Sequence, residues 1–422
     1  MNKFIFKSYN FDSAKSLAIF DYGFTDGRVF RETVTFQSKP GYDADILDRA
    51  LFLAFILIGV SYYKTFPSLS VVLDQPIDEW QAAFFNKVYQ EGLGQFAFEN
   101  NLARTDLANF KANNLDSAKP CLYRGQGLLV LQSGGKDSLL TASLLTENNQ
   151  PFTAWYVSSS QHHPAVLDDL NCELLTSLRS IDHVGLAAAA KDGAKNGHVP
   201  VTYIVQSLAL IQAALLGKSH ILTSIAHEGE EPHVAIGDLL VTHQWSKTWA
   251  AEKAFADYVS RYISPDIKVG SPLRAYSELR VAELFAKHSW LKYGSQFSSC
   301  NLANYQQGSD NTILSWCGNC PKCANSYLLF APFIKADSLR SIFGGQDLFT
   351  KLDLQDVFKG LLGIDGIIKP FECIGEVDEL RCAYQLAQAR GGYGRLSFAV
   401  PSSSFDYKKT YPAQIWATKV LQ

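Results

Sequence analysis

Apolar and polar positions alternate in short runs at the start of the chain. Phe4 and Phe6 alternate with Lys3, Ile5 and Lys7, and the segments Leu17 to Tyr22 and Val29 to Phe36 follow, with Asp26-Gly27 as a turn signal between them. This pattern predicts a small antiparallel sheet. Residues 44–63 change to a helical pattern that is apolar nearly all round, so a buried helix is expected. Its longest apolar run, Leu51 to Val60, has ten residues, too short to span a bilayer. Residues 64–118 are mixed, and Asn100, Asn101, Asn113 and Asn114 give loop character.

From about residue 119 strands and helices alternate. Leu128–Leu131 and Thr153–Val157 read as strands, and His220–Ile225 as another. Helices are expected over Ser138–Thr146 and over roughly Ser207–Leu216, the latter stopped by Gly217. Phe255, Val259 and Tyr262 lie at i, i+4 and i+7, so 247–262 reads as an amphipathic helix, and Ser277-Glu278 offers an N-cap and a first-turn acid for a helix through Phe285. Such a series predicts an α/β protein with a parallel sheet covered by helices on both faces. Ligands in these sheets sit at the carboxyl ends of strands. The segments after Leu131, Val157 and Ile225 should therefore converge on one crevice. Three regions are expected: an N-terminal α+β region over 1–118, the α/β domain over 119–335, and a C-terminal extension over 336–422.

The chain has 422 residues, 47% hydrophobic and 19% charged, which excludes a disordered chain and allows a sizeable core. A net charge of -3 and a pI near 6.3 argue against a general nucleic-acid binder. No nucleic acid and no membrane are expected as partners. The start Met1-Asn2-Lys3-Phe4-Ile5-Phe6-Lys7 lacks an apolar signal core, and eight cysteines in this length are not a disulfide framework. The expected compartment is the cytoplasm.

Ser133-Gly134-Gly135-Lys136-Asp137-Ser138 follows the strand Leu128–Leu131. A glycine-rich turn between a strand and a helix leaves backbone N–H groups unpaired at the positive end of the helix dipole, which makes an anion site. Gly134 and Gly135 allow the tight turn and a close approach. Ser133, Lys136 and Ser138 add donors and charge, and Asp137 can hold magnesium beside substrate phosphates. The six residues resemble the PP-loop of the ATP pyrophosphatases and do not fit the loop of the P-loop NTPases. That resemblance implies an adenine nucleotide alpha hydrolase-like sheet, ATP and Mg2+ as cofactors, and cleavage between the α and β phosphates. The plain alternative is an ordinary strand-turn-helix corner with two glycines.

Cys317-Gly-Asn-Cys320-Pro-Lys-Cys323 stands 17 positions after Cys300. Four thiolates so spaced would close a tetrahedral, structural zinc site. An iron–sulfur cluster, redox or sulfur-carrying cysteines, and buried apolar thiols are the competing readings. Cys121, Cys172, Cys373 and Cys382 are expected to be core thiols.

Loop and knuckle together are similar to the 7-cyano-7-deazaguanine synthases, which are about half this length. The whole chain more closely resembles the UDP-N-acetylmuramoyl-L-alanyl-L-glutamate epimerases. The matching segments are Phe4-Phe6-Tyr9-Phe11, Ser133–Ser138, Thr242-His243-Gln244-Trp245-Ser246-Lys247, Ser271–Leu279, Phe297–Asn301, Cys317–Cys323 and Lys369–Glu376. The resemblance implies a UDP-linked muropeptide precursor as substrate. It also implies inversion of its terminal L-Glu to D-Glu through a glutamyl adenylate, with AMP and pyrophosphate released. Activating the carboxylate makes the Cα proton removable, because the carbanion then delocalises as an enolate. Candidate proton carriers are His227, Glu228, Glu230, Glu231 and His233, past the strand end at Ile225, then His243 and Lys247. Arg274 and Lys247 are candidates for binding a carboxylate or phosphate. The plain alternatives are a solvated acidic loop, a core histidine and surface ion pairs. The rival functions are another PP-loop enzyme, either a ligase or a tRNA thiolase, and a nucleotide-binding regulator without turnover.

Overall fold

The computed structural model describes residues 2–114, 119–160, 162–306 and 312–421. The expected domain boundary at 118 lies outside the described residues. One nine-stranded sheet runs through the molecule. Its strands are β1 (Phe4–Asp12), β2 (Leu17–Phe24), β3 (Val29–Thr35), β4 (Val71–Leu73), β5 (Leu128–Leu131), β6 (Phe152–Ser158), β7 (Glu173–Ser180), β8 (His220–Leu222) and, after a separate hairpin of β9 (Val234–Ile236) and β10 (Leu239–Val241), β11 (Lys268–Gly270). The order across the sheet is β11-β8-β5-β6-β7-β3-β2-β1-β4.

The half from β11 to β7 is parallel, and β1, β2 and β3 form an antiparallel meander. The two halves meet where β3 pairs antiparallel with β7. The N-terminal sheet expected from the alternation is therefore continuous with the parallel one. β7 was not expected, and its pattern explains why: it opens on Glu173 and ends on Arg179-Ser180, with one buried residue in eight.

Two apolar cores lie on opposite faces, and the pleat sends neighbours into different ones. Leu129 and Ile221 join one core while Val130 and Leu222 join the other. The first core includes the helix Ala44–Tyr63, which starts on Asp43, whose side chain accepts from the N–H groups of Asp45 and Ile46. It also holds Val201–Leu216, ended by Gly217 at φ 71°. The second holds Lys136–Glu147, Glu278–His288, Pro321–Phe330 and Val377–Arg390.

Within the parallel half the chain first moves from β5 to β6 and β7, then returns to the other side of β5 as β8 and β11. The direction of winding thus reverses between β5 and β8. Crevices for ligands open at such a reversal, beyond the carboxyl ends of the strands.

Candidate active site

An open cleft with about 1130 Å³ of empty space lies at that reversal. Its floor is Leu131 to Ser133 after β5 and Thr223 to Ile225 after β8. β8 ends at Leu222 and not at Ile225 because the backbone turns to other partners: the Thr223 N–H donates to the Gly270 carbonyl and the Ile225 N–H to Ser271 Oγ at 2.8 Å. The segment after β6, expected to reach the same crevice, contributes no residue to the described lining.

The glycine-rich turn sits at the mouth of the helix Lys136–Glu147, whose N-cap Gly135 supplies no side-chain acceptor. Gly134 has φ 76°, and a Cβ there would lie 2.6 Å from Leu314. A Cβ on Gly135 would lie 2.9 Å from Ser299 Oγ. Gly134 therefore disfavours a side chain by its backbone as well as by its space, and one on Gly135 would have to displace the Ser299 hydroxyl, so glycine at both keeps the helix N-terminus open to the cleft. Ser133 Oγ and Ser138 Oγ lie 3.2 Å apart and cross the turn. Ser133, Gly135, Asp137 and Ser138 line the cleft.

Lys136 is buried beneath the turn. Its ammonium donates to Asp137 Oδ1 and Glu278 Oε2, both at 2.6 Å. Burial works against the Lys136 charge, but the two carboxylates outweigh it and hold the group above its ordinary range. Burial pushes Asp137 up to about 6, opposed by Lys136 and reinforced by Glu278 and Glu228. Glu278 is buried too, yet Lys136 and Lys322 hold it below its usual value. The sequence marks Glu278 only as a first-turn acid on a helix capped by Ser277, whose hydroxyl accepts from the Arg280 N–H.

The facing wall comes from the expected substrate-side segments. Trp245–Lys247 forms a single 3-10 turn after Gln244 at φ 57°, and Thr248 then caps the helix Trp249–Tyr258. Lys247 therefore projects from a turn, not from the amphipathic helix expected over 247–262. That helix ends as a π-turn over Val259–Ile263. Lys247 Nζ lies 3.4 Å from Glu228 Oε2 and 3.4 Å from Cys373 Sγ. Burial lowers it, but Cys373 and Glu228 raise it further, so it stays an ammonium. Cys373 is a correction to the sequence reading: it lines the cleft and does not sit in the core. Lys322 and Asn301 complete this wall, and the Lys322 ammonium donates to the Cys373 carbonyl.

The acidic loop after β8 is not a solvated run. Glu228 is buried against Lys247, Glu230 accepts from the Trp249 N–H at 2.5 Å, and Glu231 pairs with Lys369 and the Val377 N–H. Behind Lys247 and Cys373 a small cavity is lined by Glu228, His233, His243 and Glu376. His243 Nδ1 lies 2.7 Å from Gln95 Oε1, and burial, with His198 and Lys247 nearby, drives its pKa down to about 2. It is a neutral imidazole. His233 stacks on Phe371 and is held at about 4, mainly by burial. His227 is turned elsewhere, stacked 3.6 Å from the Tyr411 ring with Nε2 3.5 Å from Glu376. Arg274 faces neither cavity. It is fully buried, with Nε 2.9 Å from Glu252 and Nη1 donating to the Ala226 carbonyl at 2.7 Å. The structure thus brings together the Ser133–Ser138 turn and Lys247, places Glu228, His243 and His233 behind them, and leaves His227 and Arg274 outside.

The four cysteine sulfurs of Cys300, Cys317, Cys320 and Cys323 all lie within 4.8 Å of one another. Contacts of 3.6 Å between Cys300 and Cys320, 3.7 Å between Cys317 and Cys323 and 3.5 Å between Cys320 and Cys323 exclude disulfides. A tetrahedron with metal–sulfur bonds of about 2.3 Å has edges of about 3.8 Å. The set therefore fits one metal ion. It braces the cleft, because Ser298, Ser299, Asn301 and Lys322 are next to the ligands in sequence and line the cavity.

Three further polar groups on the cleft lining are nine-tenths buried and have side-chain atoms without a hydrogen-bond partner among the described residues. They are Gln132, Gln206 and Thr223. Together with the open helix terminus they suit a ligand with an anionic and a neutral polar part. Fold and site define a doubly wound α/β protein with an anion cradle at its winding reversal and a charged wall facing it.

Residues 1–271 match the MurL N-terminal domain and residues 296–398 the MurL C-terminal domain. The chain belongs to the MurL family. It is 34% identical over 385 residues to a UDP-N-acetyl-alpha-D-muramoyl-L-alanyl-L-glutamate epimerase of Xanthomonas oryzae pv. oryzae, covering 90% of this chain and 84% of that one. Relatives of the same name from Salinispora tropica and a Micromonospora species are 32% and 33% identical, over 93% and 92% of this chain and 86% and 87% of theirs.

Proposed function

We infer that this chain inverts the terminal L-Glu of UDP-MurNAc-L-Ala-L-Glu to D-Glu in peptidoglycan precursor synthesis, driven by ATP. The observation that carries the ATP dependence is the meeting, in one cleft of a MurL-family chain, of the Ser133–Ser138 cradle with a wall that presents Lys247, Lys322 and Asn301. Ser133, Gly134, Gly135 and Ser138 would hold the nucleotide phosphates, Asp137 the magnesium that neutralises them, and Lys136, buried beneath the turn, would hold Asp137 in place. Attack of the glutamyl carboxylate on the α-phosphorus would give the adenylate and pyrophosphate. The Cα proton then becomes removable, a proton returns on the opposite face, and water releases AMP. Lys247 lies on the wall that faces the cradle, with Glu228 paired to it; the ammonium suits stabilisation of the developing enolate oxygen. His243 fits a role as a neutral hydrogen-bonding group better than that of an acid.

No described helix is long and apolar enough to cross a membrane. The test is incubation with ATP, Mg2+ and the UDP-linked dipeptide. D-Glu in the acid hydrolysate, with stoichiometric AMP, is expected. ADP in place of AMP would remove the adenylate, and turnover with tRNA or a free deazapurine acid in place of the muropeptide would favour the rival PP-loop chemistries.

The four cysteines are assigned to structural zinc. Sulfurs this close leave room for one ion and not for a multi-iron cluster. About one zinc per chain with sulfur-only coordination is expected, and bound iron with visible absorption would overturn the assignment.

A further inference from the structure

We propose that Cys373 is a catalytic residue, the proton carrier on one face of the glutamyl Cα. This rests on the epimerase reading above. Cys373 follows no helix or strand. It sits in a bend, held by the Lys322 ammonium on its carbonyl and by the Gly375 N–H two residues on, which donates to Asn325 Oδ1 at 3.1 Å. Its sulfur lies 3.4 Å from Lys247 Nζ. Both residues form the partition between the open cleft and the small polar cavity, so the thiol meets whatever occupies the cleft opposite the cradle. The same cleft carries buried side-chain atoms of Gln132, Gln206 and Thr223 that have no hydrogen-bond partner among the described residues, an independent mark of a place that suits a polar ligand. By contrast Cys382 donates to the Phe405 carbonyl and lines neither cavity.

The chemistry suits a thiol. A carboxylate is a weak base for a carbon acid, whereas a thiolate is stronger and sheds the proton again near neutral pH. Burial pushes the Cys373 thiol up and the Lys247 and Lys322 ammonium groups pull it back. Burial outweighs the two ammonium groups, so the thiol is the resting form, and the thiolate that forms beside the Lys247 ammonium is a strong base. In the step, Sγ takes the Cα proton, and the C–H electron pair enters the enolate of the activated carbonyl. Water from the open mouth protonates the opposite face, leaving hydroxide, which recovers the proton from Sγ–H. Protons and charge balance over the cycle, and no redox change occurs.

The test uses the full chain with ATP, Mg2+ and the UDP-linked dipeptide in heavy water. Wild type that makes no D-Glu would sink the epimerase reading itself, before any variant is compared. With active wild type, Cys373→Ser is expected to lose about 10²- to 10⁴-fold in D-Glu formation and in deuterium uptake at Cα. Its substrate-dependent exchange of pyrophosphate into ATP should stay within a few-fold, since adenylation does not need the thiol. Near-normal epimerisation by Cys373→Ser would overturn the proposal. So would an equal fall in exchange and epimerisation by a folded variant, because that is the mark of a wall residue. Should the serine variant not fold, capping the wild-type thiol with methyl methanethiosulfonate replaces it. Reversible loss of Cα exchange, with pyrophosphate exchange kept and Cys373 identified by mass, is then expected. Capped Cys373 with undiminished Cα exchange would refute the assignment.

Discussion

Arg274 and Lys136 are both buried cations held by glutamates, and their surroundings differ in one respect. Arg274 binds a single carboxylate, Glu252, and a backbone carbonyl. Glu252 in turn accepts from the Ser271 N–H and from Gln414. This pair ties the helix Trp249–Tyr258 to the segment before Glu278 and faces no cavity. Lys136 binds two carboxylates, and one of them, Asp137, reaches the cleft. Lys136 bonds both acids and Lys322 acts on Glu278 from the cleft wall, while Asp137 still reaches the cleft where a metal-bound phosphate would arrive. A matched pair fastens segments together. An acid that shares its partner and reaches a cleft is poised for a cation from outside.

Arg274→Ala should break the first kind of site most severely. It leaves Glu252 buried without its partner, and a loss of roughly 3–5 kcal/mol in unfolding free energy by denaturant titration is expected. A loss under about 1 kcal/mol would mean that the pair contributes little to holding the segments. Asp137→Asn should show the opposite profile. AMP release is expected to fall about 10²- to 10³-fold, roughly 3–4 kcal/mol of barrier, with the melting temperature unchanged. Full activity would remove Asp137 from the mechanism. The smallest effect concerns Glu379, buried behind Glu278 and accepting from the Leu279 N–H at 2.7 Å. Burial raises its pKa to about 8, opposed by that N–H and reinforced by Glu278. The folded state keeps a proton that the unfolded chain releases above about 4.5. Stability should therefore fall as pH rises from about 4.5 to 8. Glu379→Gln retains the neutral form and should flatten that fall, gaining about 1–2 kcal/mol at pH 8. An unchanged pH profile of unfolding would place the sensitivity elsewhere.

Much of the fold was legible on both sides of the seam. Leu128–Leu131, the helix 44–63 and the stop at Gly217 follow from local apolar period and glycine, and they lie where those signals put them. What stayed hidden depends on partners distant in sequence. Glu278 meets Lys136 across 142 positions, and no local pattern separates such an acid from a helix cap. Cys373 looked like a core thiol because an isolated cysteine carries no spacing signal. It lay inside the segment Lys369–Glu376, and Lys247 inside Thr242–Lys247. The family-like segments were thus a better guide to the cleft than the individual side chains. Arg274 shows the reverse, a chemically apt residue inside Ser271–Leu279 that faces neither cavity, and His227, outside the matching segments, stacks on Tyr411 beside Glu376.

The seam between β3 and β7 also sets a timetable. Val34 pairs with Arg179, and Arg179 bonds Glu32 at 2.6 Å in the interior. During synthesis the edge of β3 must wait for about 145 residues to follow it, roughly 7–30 s at ordinary elongation rates. An open strand edge invites pairing with other chains through that interval. Glu32, completely buried once Arg179 arrives, is until then an inward-pointing charge on the waiting edge. A foreign strand that paired there without a cation would bury that charge unmatched, the arrangement by which edge strands discourage association.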